Sequence, residues 1–568
     1  MFLGLSLPDL LVLAGYFVIV AIIGLAASRL VGDREDFVMG GRRFGTLLTI
    51  MFAFGAGSHA DQAVGVASKC YKERSLAGLW YQGVMIFTLP IYWLLAPIFR
   101  RARVMTTADF FERRFGRGFT LLYAAFAMFI TIAFTSVGLF GTGKLVESLT
   151  VGEMPWKWSI PVIALVSIFY ALAGGLIAAV WNDFFQGMLT VVMSLLILPF
   201  FWGHIGGLDG FRSALDDPGH AFRLVLDEGM TVFWIAMMSV NSLLSMVVQP
   251  QIMATTGATR TEMDSRVGFV GGMVLKRLMT IPWALTGVMA LAMYGPGTID
   301  PDLAFGKLAR DLLPTGCAGL MLACVLASIM DNIALNLVSF AGIYTNSIHR
   351  RLFPSADERH LLAVTRAAGA VFAVIAIAAA YAFNDMPQAM RFMMKWIPLM
   401  GIAFFMAVLW PRANRYGAFA SFAAAAASML ASERLVEGWK ATISGFNEDT
   451  ALPWSILAAL AVGTAAGVVT SLLTPPESER RLRNFYLLLR TPLGAEQALR
   501  DAGLVEIPGT GTFEDPGLDA ERTPATRLPA AWVTPSPAAI GGFFGVGVVA
   551  LCILGFVRLL AAWLAGAA

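Results

Sequence analysis

The chain has 568 residues, 57% of them hydrophobic and only 14% charged, with a mean hydropathy of +0.70. Soluble domains carry about 25% charged residues, so a water-soluble globular protein is excluded and the sequence reads as a polytopic membrane protein. The formal net charge of +3 carries no nucleic-acid signature, and four cysteines (Cys70, Cys317, Cys324, Cys552) show neither CxxC spacing nor a disulfide framework.

At about 20 apolar residues per crossing, fourteen spans are expected, near 7–28, 46–70, 77–99, 118–147, 158–178, 180–203, 231–255, 265–294, 315–347, 360–383, 387–410, 416–432, 453–473 and 539–565. The first has no basic leader and no small-residue cleavage site, so it is expected to be retained. The second, TLLTIMFAFGAGSHADQAVGVAS, holds Gly55, Gly57, Ser58, His59, Asp61 and Gln62 where a spanning helix should be driest. Hydrocarbon offers no hydrogen-bonding partner, so loosened backbone and a carboxylate survive there only by lining a protein-enclosed cavity. An ionisable residue at such depth costs roughly 2.5–3.5 kcal/mol on insertion scales. A broken helix with polar groups at mid-membrane is how secondary transporters build binding sites.

Arginines cluster after spans one, three, seven, nine and eleven (Arg29 to Arg43, Arg100 to Arg117, Arg260 and Arg266, Arg350 and Arg351, Arg412 and Arg415). By the positive-inside rule these loops are cytoplasmic and both termini lie outside. Lys69, Lys72 and Arg74 on an even loop conflict with that orientation and are outvoted. The longest polar stretch, 475–537, reads as a short helix followed by an irregular cytoplasmic linker. Span seven repeats the pattern of span two: it is interrupted around Asn241, Ser242 and Gln249-Pro250-Gln251. Two broken helices in corresponding places of two five-helix units predict an inverted repeat. The expected organisation is 1–45 (extra helix and cytoplasmic loop), 46–230 and 231–414 (the two repeats), 415–474 (two accessory helices), 475–537 (linker) and 538–568 (last helix).

Several stretches carry a resemblance. YALAGGLIAAVWNDFFQ (Tyr170–Gln186) resembles the Y-x-x-x-G-G-L-x-A-V-x-x-T-D-x-x-Q signature of the sodium:solute symporter family. DREDFVMGGRRFG, TTADFFERRFG, WPRANRYGA and LTPPESERRLRNFYLLLRTPLG are similar to further family elements, in the expected order. The resemblance implies an all-α, leucine-transporter-type core of inverted five-helix repeats and sodium-driven alternating access. It implies a sodium site between the broken first core helix and the eighth. Gly55 and Ser58 then supply carbonyls, and Ser328, Asp331 and Asn332 occupy the eighth-helix positions. Asp331-Asn332 stands where the family has hydroxyl pairs, and Ala334 and Leu335 stand at the second-sodium positions. A carboxylate is an acceptable ligand for a hard cation, and it is also able to carry a proton. Asp183, inside the signature, has two readings: a cap for a helix end or a sodium-linked residue.

The family's sugar-binding positions align with Gln62, Tyr81-Gln82, Asn241, Lys276 and the neighbourhood of Gln388, with Asp61 beside them. Leu243 and Leu244 replace the aromatic gates and cannot stack on a pyranose, which argues against a plain sugar. Within the spans Lys276, Arg277, Arg391 and Lys395 face Asp61, Asp183 and Asp331. Charges at that depth pair or meet water. The surplus of bases motivates the expectation of a carboxylate or other anionic group on the solute.

The sequence therefore predicts a symporter of the plasma (inner) membrane importing a small organic solute with Na+, and no cofactor, nucleic acid or obligate protein partner. One alternative keeps the fold and uses H+ through Asp331, Asp61 and His59. Another is a solute sensor signalling through 475–537. Enzyme motifs lack credible context: GLFGTGKL (Gly138–Leu145) nearly spells a phosphate loop but has no preceding strand and ends in Leu.

Overall fold

The computed structural model describes residues 6–28, 44–55, 60–104, 106–150, 152–383, 386–440, 448–502 and 537–566. It is built from helices, with one isolated parallel bridge, Phe44 to Thr259, among the described residues. In chain order the longer helices are α1 (Leu7–Ser28), α2 (Thr46–Gly55), α3 (Ala60–Lys72), α4 (Leu89–Ala102), α5 (Thr107–Phe115), α6 (Arg117–Leu149), α7 (Trp156–Ile205), α8 (Val232–Met246), α9 (Pro250–Gly257) and α10 (Glu262–Tyr294). There follow α11 (Ala304–Leu312), α12 (Cys317–Tyr344), α13 (Glu358–Ala380), α14 (Met386–Trp396), α15 (Gly401–Leu409), α16 (Arg415–Lys440), α17 (Glu448–Leu473), α18 (Glu479–Arg490) and α19 (Pro537–Ala565).

The second expected interruption is present: α8 and α9 meet at 65° across Val247–Gln249. The first falls on residues 56–59, between α2 and α3, and lies outside the described residues. Asn241 and Ser242 do not mark the second break: α8 runs unbroken through them to Met246, and the chain turns where Pro250 removes a backbone donor. The count of fourteen spans is not reproduced. Eight helices among the described residues are long and apolar enough to cross a membrane, or nine with the bent pair counted as one. The expected spans 158–178 and 180–203 both fall within the 50 residues of α7, of which Phe184–Ile205 qualifies as a span.

Helix starts follow the capping rules. Thr106 and Asp109 close a reciprocal capping box on α5, Thr231 caps α8 and Thr261 caps α10. Asp9 of α1 caps a different helix: its carboxylate accepts from Gly316 N and Gly319 N at 2.8 Å, holding the start of α12.

The centre of the bundle is set by α10, which packs along α2, α3 and α4. It does so through glycines. A Cβ on Gly268 would strike Thr49, on Gly272 the backbone of Ile50 and Phe54, and on Gly287 Ala67 and Cys70. Small residues at these positions let helix backbones approach closely where no hydrophobic force drives helices together. Contacts ascend on both helices, so α10 runs parallel to the broken helix, and Lys276 to Thr280 lie level with the interval between Gly55 and Ala60.

The start of the polar stretch is a docked strap. Phe485 of α18 packs edge-on against Phe110 of α5, and the Tyr486 hydroxyl donates to Ala407 O at 2.9 Å. Arg114, fully buried, donates to the carbonyls of Ala407, Trp410, Pro411 and Ala413. Arg101 pairs with Glu262 at 2.7 Å and donates to Leu489 O, while Glu262 also accepts from Leu493 N. Glu477 accepts from Arg415 and Arg481 at 2.9 and 2.6 Å.

Two outcomes follow from this packing. Gly272→Val forces a side chain into backbone atoms and is expected to cost about 1–3 kcal/mol, read as a lower melting temperature. Gly545→Val on α19, where a Cβ meets open space, serves as the control. Burial raises the Glu477 carboxyl, but hydrogen bonds and charge from Arg415, then Arg481, outweigh it and hold it below the usual carboxylate range. Its contribution is therefore present above the ordinary carboxylate pKa of about 4.3 and lost as pH falls through the lowered folded value. Hydrogen exchange at 479–490 should accelerate in that acidic window, and Glu477→Gln should remove the step.

Candidate functional site

The residues expected to bind fall into three groups. The first surrounds the break between α2 and α3. Gly55 is buried at the end of α2. Ser58 and His59 lie outside the described residues, as does the side chain of Asp61 on α3. Gln62, one residue further, is half-buried and its Oε1 is a buried acceptor with no hydrogen-bond partner. Gln82 is half-buried in the irregular turn Trp80–Gly83, and Tyr81 beside it would lie 3.6 Å from a Cβ on Gly65 of α3.

The second group is on α12, which touches α3 and α9 and packs along α6. Ser328 and Asp331 sit within the helix, with side chains outside the described residues. Asn332 is buried, and its Oδ1 accepts from the Asn336 amide one turn on. Asn332 Nδ2 and Asn336 Oδ1 are left without partners. Gly138 of α6 leaves the room: a Cβ there would meet Asn332 Nδ2 at 2.8 Å. Asn336 is a polar site residue that sequence reading missed; the signal was a second asparagine four residues from Asn332, on the same helix face.

The third group spans α8, α9 and α10. Asn241 is 5% exposed and its Oδ1 has no partner. Gln251 donates to Gln249 at 2.9 Å and leaves its own Oε1 buried and unpartnered. Lys276 is buried on the α10 stretch that faces the first break. Buried acceptors without partners are rare in folded proteins and call for a ligand or water. The amide oxygens of this kind are those of Gln62 on α3, Asn241 on α8, Gln251 on α9 and Asn336 on α12.

Gln388 is exposed in the first turn of α14. Arg391 pairs with Glu448 at 2.6 Å and Asp449 at 3.7 Å, and Lys395 with Glu433 at 3.1 Å. These two bases have carboxylates on the accessory helices, so they add nothing to a surplus in the site. Lys69, which conflicted with the expected orientation, is buried between Glu73 at 2.8 Å and Asp449 at 2.9 Å. Asp183, its side chain outside the described residues, sits inside unbroken α7, which offers it no helix end to cap. The near phosphate loop at Gly138–Leu145 is interior to α6 and has no loop to cradle a phosphate.

Comparison with known proteins adds three findings. A model of the Sodium:solute symporter family matches residues 37–424. The osmoregulated proline transporter OpuE of Bacillus subtilis is 26% identical over 85% of this chain and 98% of its own, and the sodium/glucose cotransporter of Vibrio parahaemolyticus 27% identical over 73% and 83%. In structure, the substrate-bound outward-open state of a Na+-coupled sialic acid symporter aligns with a TM-score of 0.70 at 18% identity, over 83% of this chain and 98% of that one.

The charge network is testable without knowing the ligand. Asp449→Ala leaves buried Lys69 with Glu73 alone and is expected to cost about 1–3 kcal/mol. Adding Lys69→Met should recover most of the loss in a double-mutant thermal melt.

Proposed function

The chain belongs to the sodium:solute symporter family, and from that premise we propose that it is a sodium-coupled secondary active transporter importing a small organic solute by alternating access. The observation that carries the reading is the packing on either side of the interval between α2 and α3. Both helices pack against α10, α3 also touches α12, and Gln62 of α3, Asn241 of α8 and Gln251 of α9 hold buried oxygens without partners. We assign the ion to the carbonyls of Gly55 and Ser58 with Ser328, Asp331 and Asn332, Asp183 being linked to that site through the family signature. Gln62, Asp61, Asn241 and Lys276 face the solute, with Gln82 at its edge. Residues 46–230 and 231–414 form the two inverted repeats, each opening on a broken helix. The protein is a multi-pass membrane protein, and we place both termini outside, in the plasma (inner) membrane. The Bacillus and Vibrio relatives named for proline and glucose support a solute of that size.

Ion binding drives the cycle because a ligand shifts conformational populations only by its differential affinity for the states. A carboxylate at position 331, where the family has a hydroxyl, favours a second reading in which Asp331 carries a proton. The two readings separate in one experiment. With sodium as the coupling ion, sodium raises the melting temperature of the purified protein at constant ionic strength against choline, and Asp331→Ala removes at least about tenfold of the apparent sodium affinity, on the order of 1.4 kcal/mol. A sodium-blind protein whose uptake in proteoliposomes follows an imposed pH gradient would sink the sodium reading and leave the proton one.

A further inference from the structure

Arg277 lies near the midpoint of the 33-residue α10. It is 2% exposed, and all three guanidinium nitrogens are buried without a hydrogen-bond partner. No other arginine among the described residues is left this way: Arg114 has four carbonyls, Arg101 has Glu262, and Arg103 has Glu496 at 2.8 Å. Its surroundings are well defined. Phe269, about two turns earlier on α10, meets the Tyr92 ring edge-on at 6.0 Å. Tyr92 of α4 is buried and spends its proton on Ser242 O of α8 at 2.8 Å, beside Asn241, whose Oδ1 has no partner. Arg277 interacts electrostatically with Tyr92, so its guanidinium lies toward α4, buried and with its donors unspent.

An ionised group buried alone is destabilising, and replacing such charges by apolar side chains often stabilises a protein. A fold retains the charge where a counter-charge arrives. Guanidinium presents donors in a planar fork that matches a carboxylate two-for-two. A single fork neutralises a single charge, which fits a monocarboxylate better than a phosphate dianion. We propose that Arg277 is the solute-recognition residue for a carboxylate, and that the transported solute is a small organic monocarboxylate. The inference rests on the symporter reading above and narrows its substrate class. It replaces the argument from a general surplus of bases, two of which are paired on the accessory helices.

The test compares acids with their neutral isosteres. The purified full-length protein is melted in the presence of sodium acetate, propionate, lactate or pyruvate, and of acetamide, propionamide or lactamide, with sodium chloride at matched sodium concentration as the baseline. At least one acid should raise the melting temperature while its amide does not. Arg277→Lys, which keeps the charge and loses the fork, should shift the half-saturating acid concentration upward by about tenfold or more. Arg277→Met should abolish the response and melt above the wild type without solute, because a lone buried charge has gone. A lower melting temperature for Arg277→Met without solute, as expected if the guanidinium were a structural partner, overturns the proposal. So do equal effects of acid and amide, an acid response that survives Arg277→Met, or no response to any acid beyond sodium chloride. Sodium against choline without solute, in the same melts, reports on ion coupling separately: that response fails if the sodium reading is wrong, whatever Arg277 does.

Discussion

The close approach of α10 to the broken helix is the contact on which the rest of the centre depends. Gly268, Gly272 and Gly287 bring one backbone against the other along both α2 and α3, so the two helices are held in register with α10. Without side chains to separate them, dispersion contacts and a fixed parallel register do the work that hydrophobicity cannot do in lipid. The same register brings Lys276 to the level of the break, and Arg277 with it, on the face toward Tyr92. A site for a polar solute in a membrane protein needs such enclosure, because any polar group left facing hydrocarbon is unsatisfied.

Charge is sorted by position around that centre. Toward the periphery the bases find protein carboxylates: Lys69 with Glu73 and Asp449, Arg391 with Glu448 and Asp449, Lys395 with Glu433. Near the breaks the pattern inverts. Gln62, Asn241, Gln251 and Asn336 leave acceptors unused, and Arg277 leaves donors unused. Unsatisfied buried groups weaken a fold unless a ligand or water completes them.

The strap around α18 joins parts of the chain that are far apart in sequence. It touches α5 through Phe110, α15 through Ala407 O, and the start of α10 through Glu262. Buried Arg114 sits at the junction, within 5.9 Å of the Phe485 and 5.8 Å of the Tyr486 ring centroids while its nitrogens serve four carbonyls. An element anchored to both expected repeats on one side of the bundle biases whichever state keeps those anchors together.

The sequence alone determined the membrane class, because composition and mean hydropathy leave no soluble alternative, and it determined the break between α8 and α9, because proline and polar side chains at mid-span are local signals that hydrocarbon does not tolerate by accident. Helix ends were legible where caps are local, as at Thr106, Thr231 and Thr261. The family motifs pointed to Asn241, Lys276 and Asn332, which are buried. Tertiary structure decided what depends on partners distant in sequence. It paired Arg391 and Lys395 with carboxylates of the accessory helices, and docked the short helix α18 against α5, α10 and α15. Periodicity and propensity act over a few residues, whereas a charge is satisfied by whatever residue the fold brings to it, and no local pattern encodes that partner.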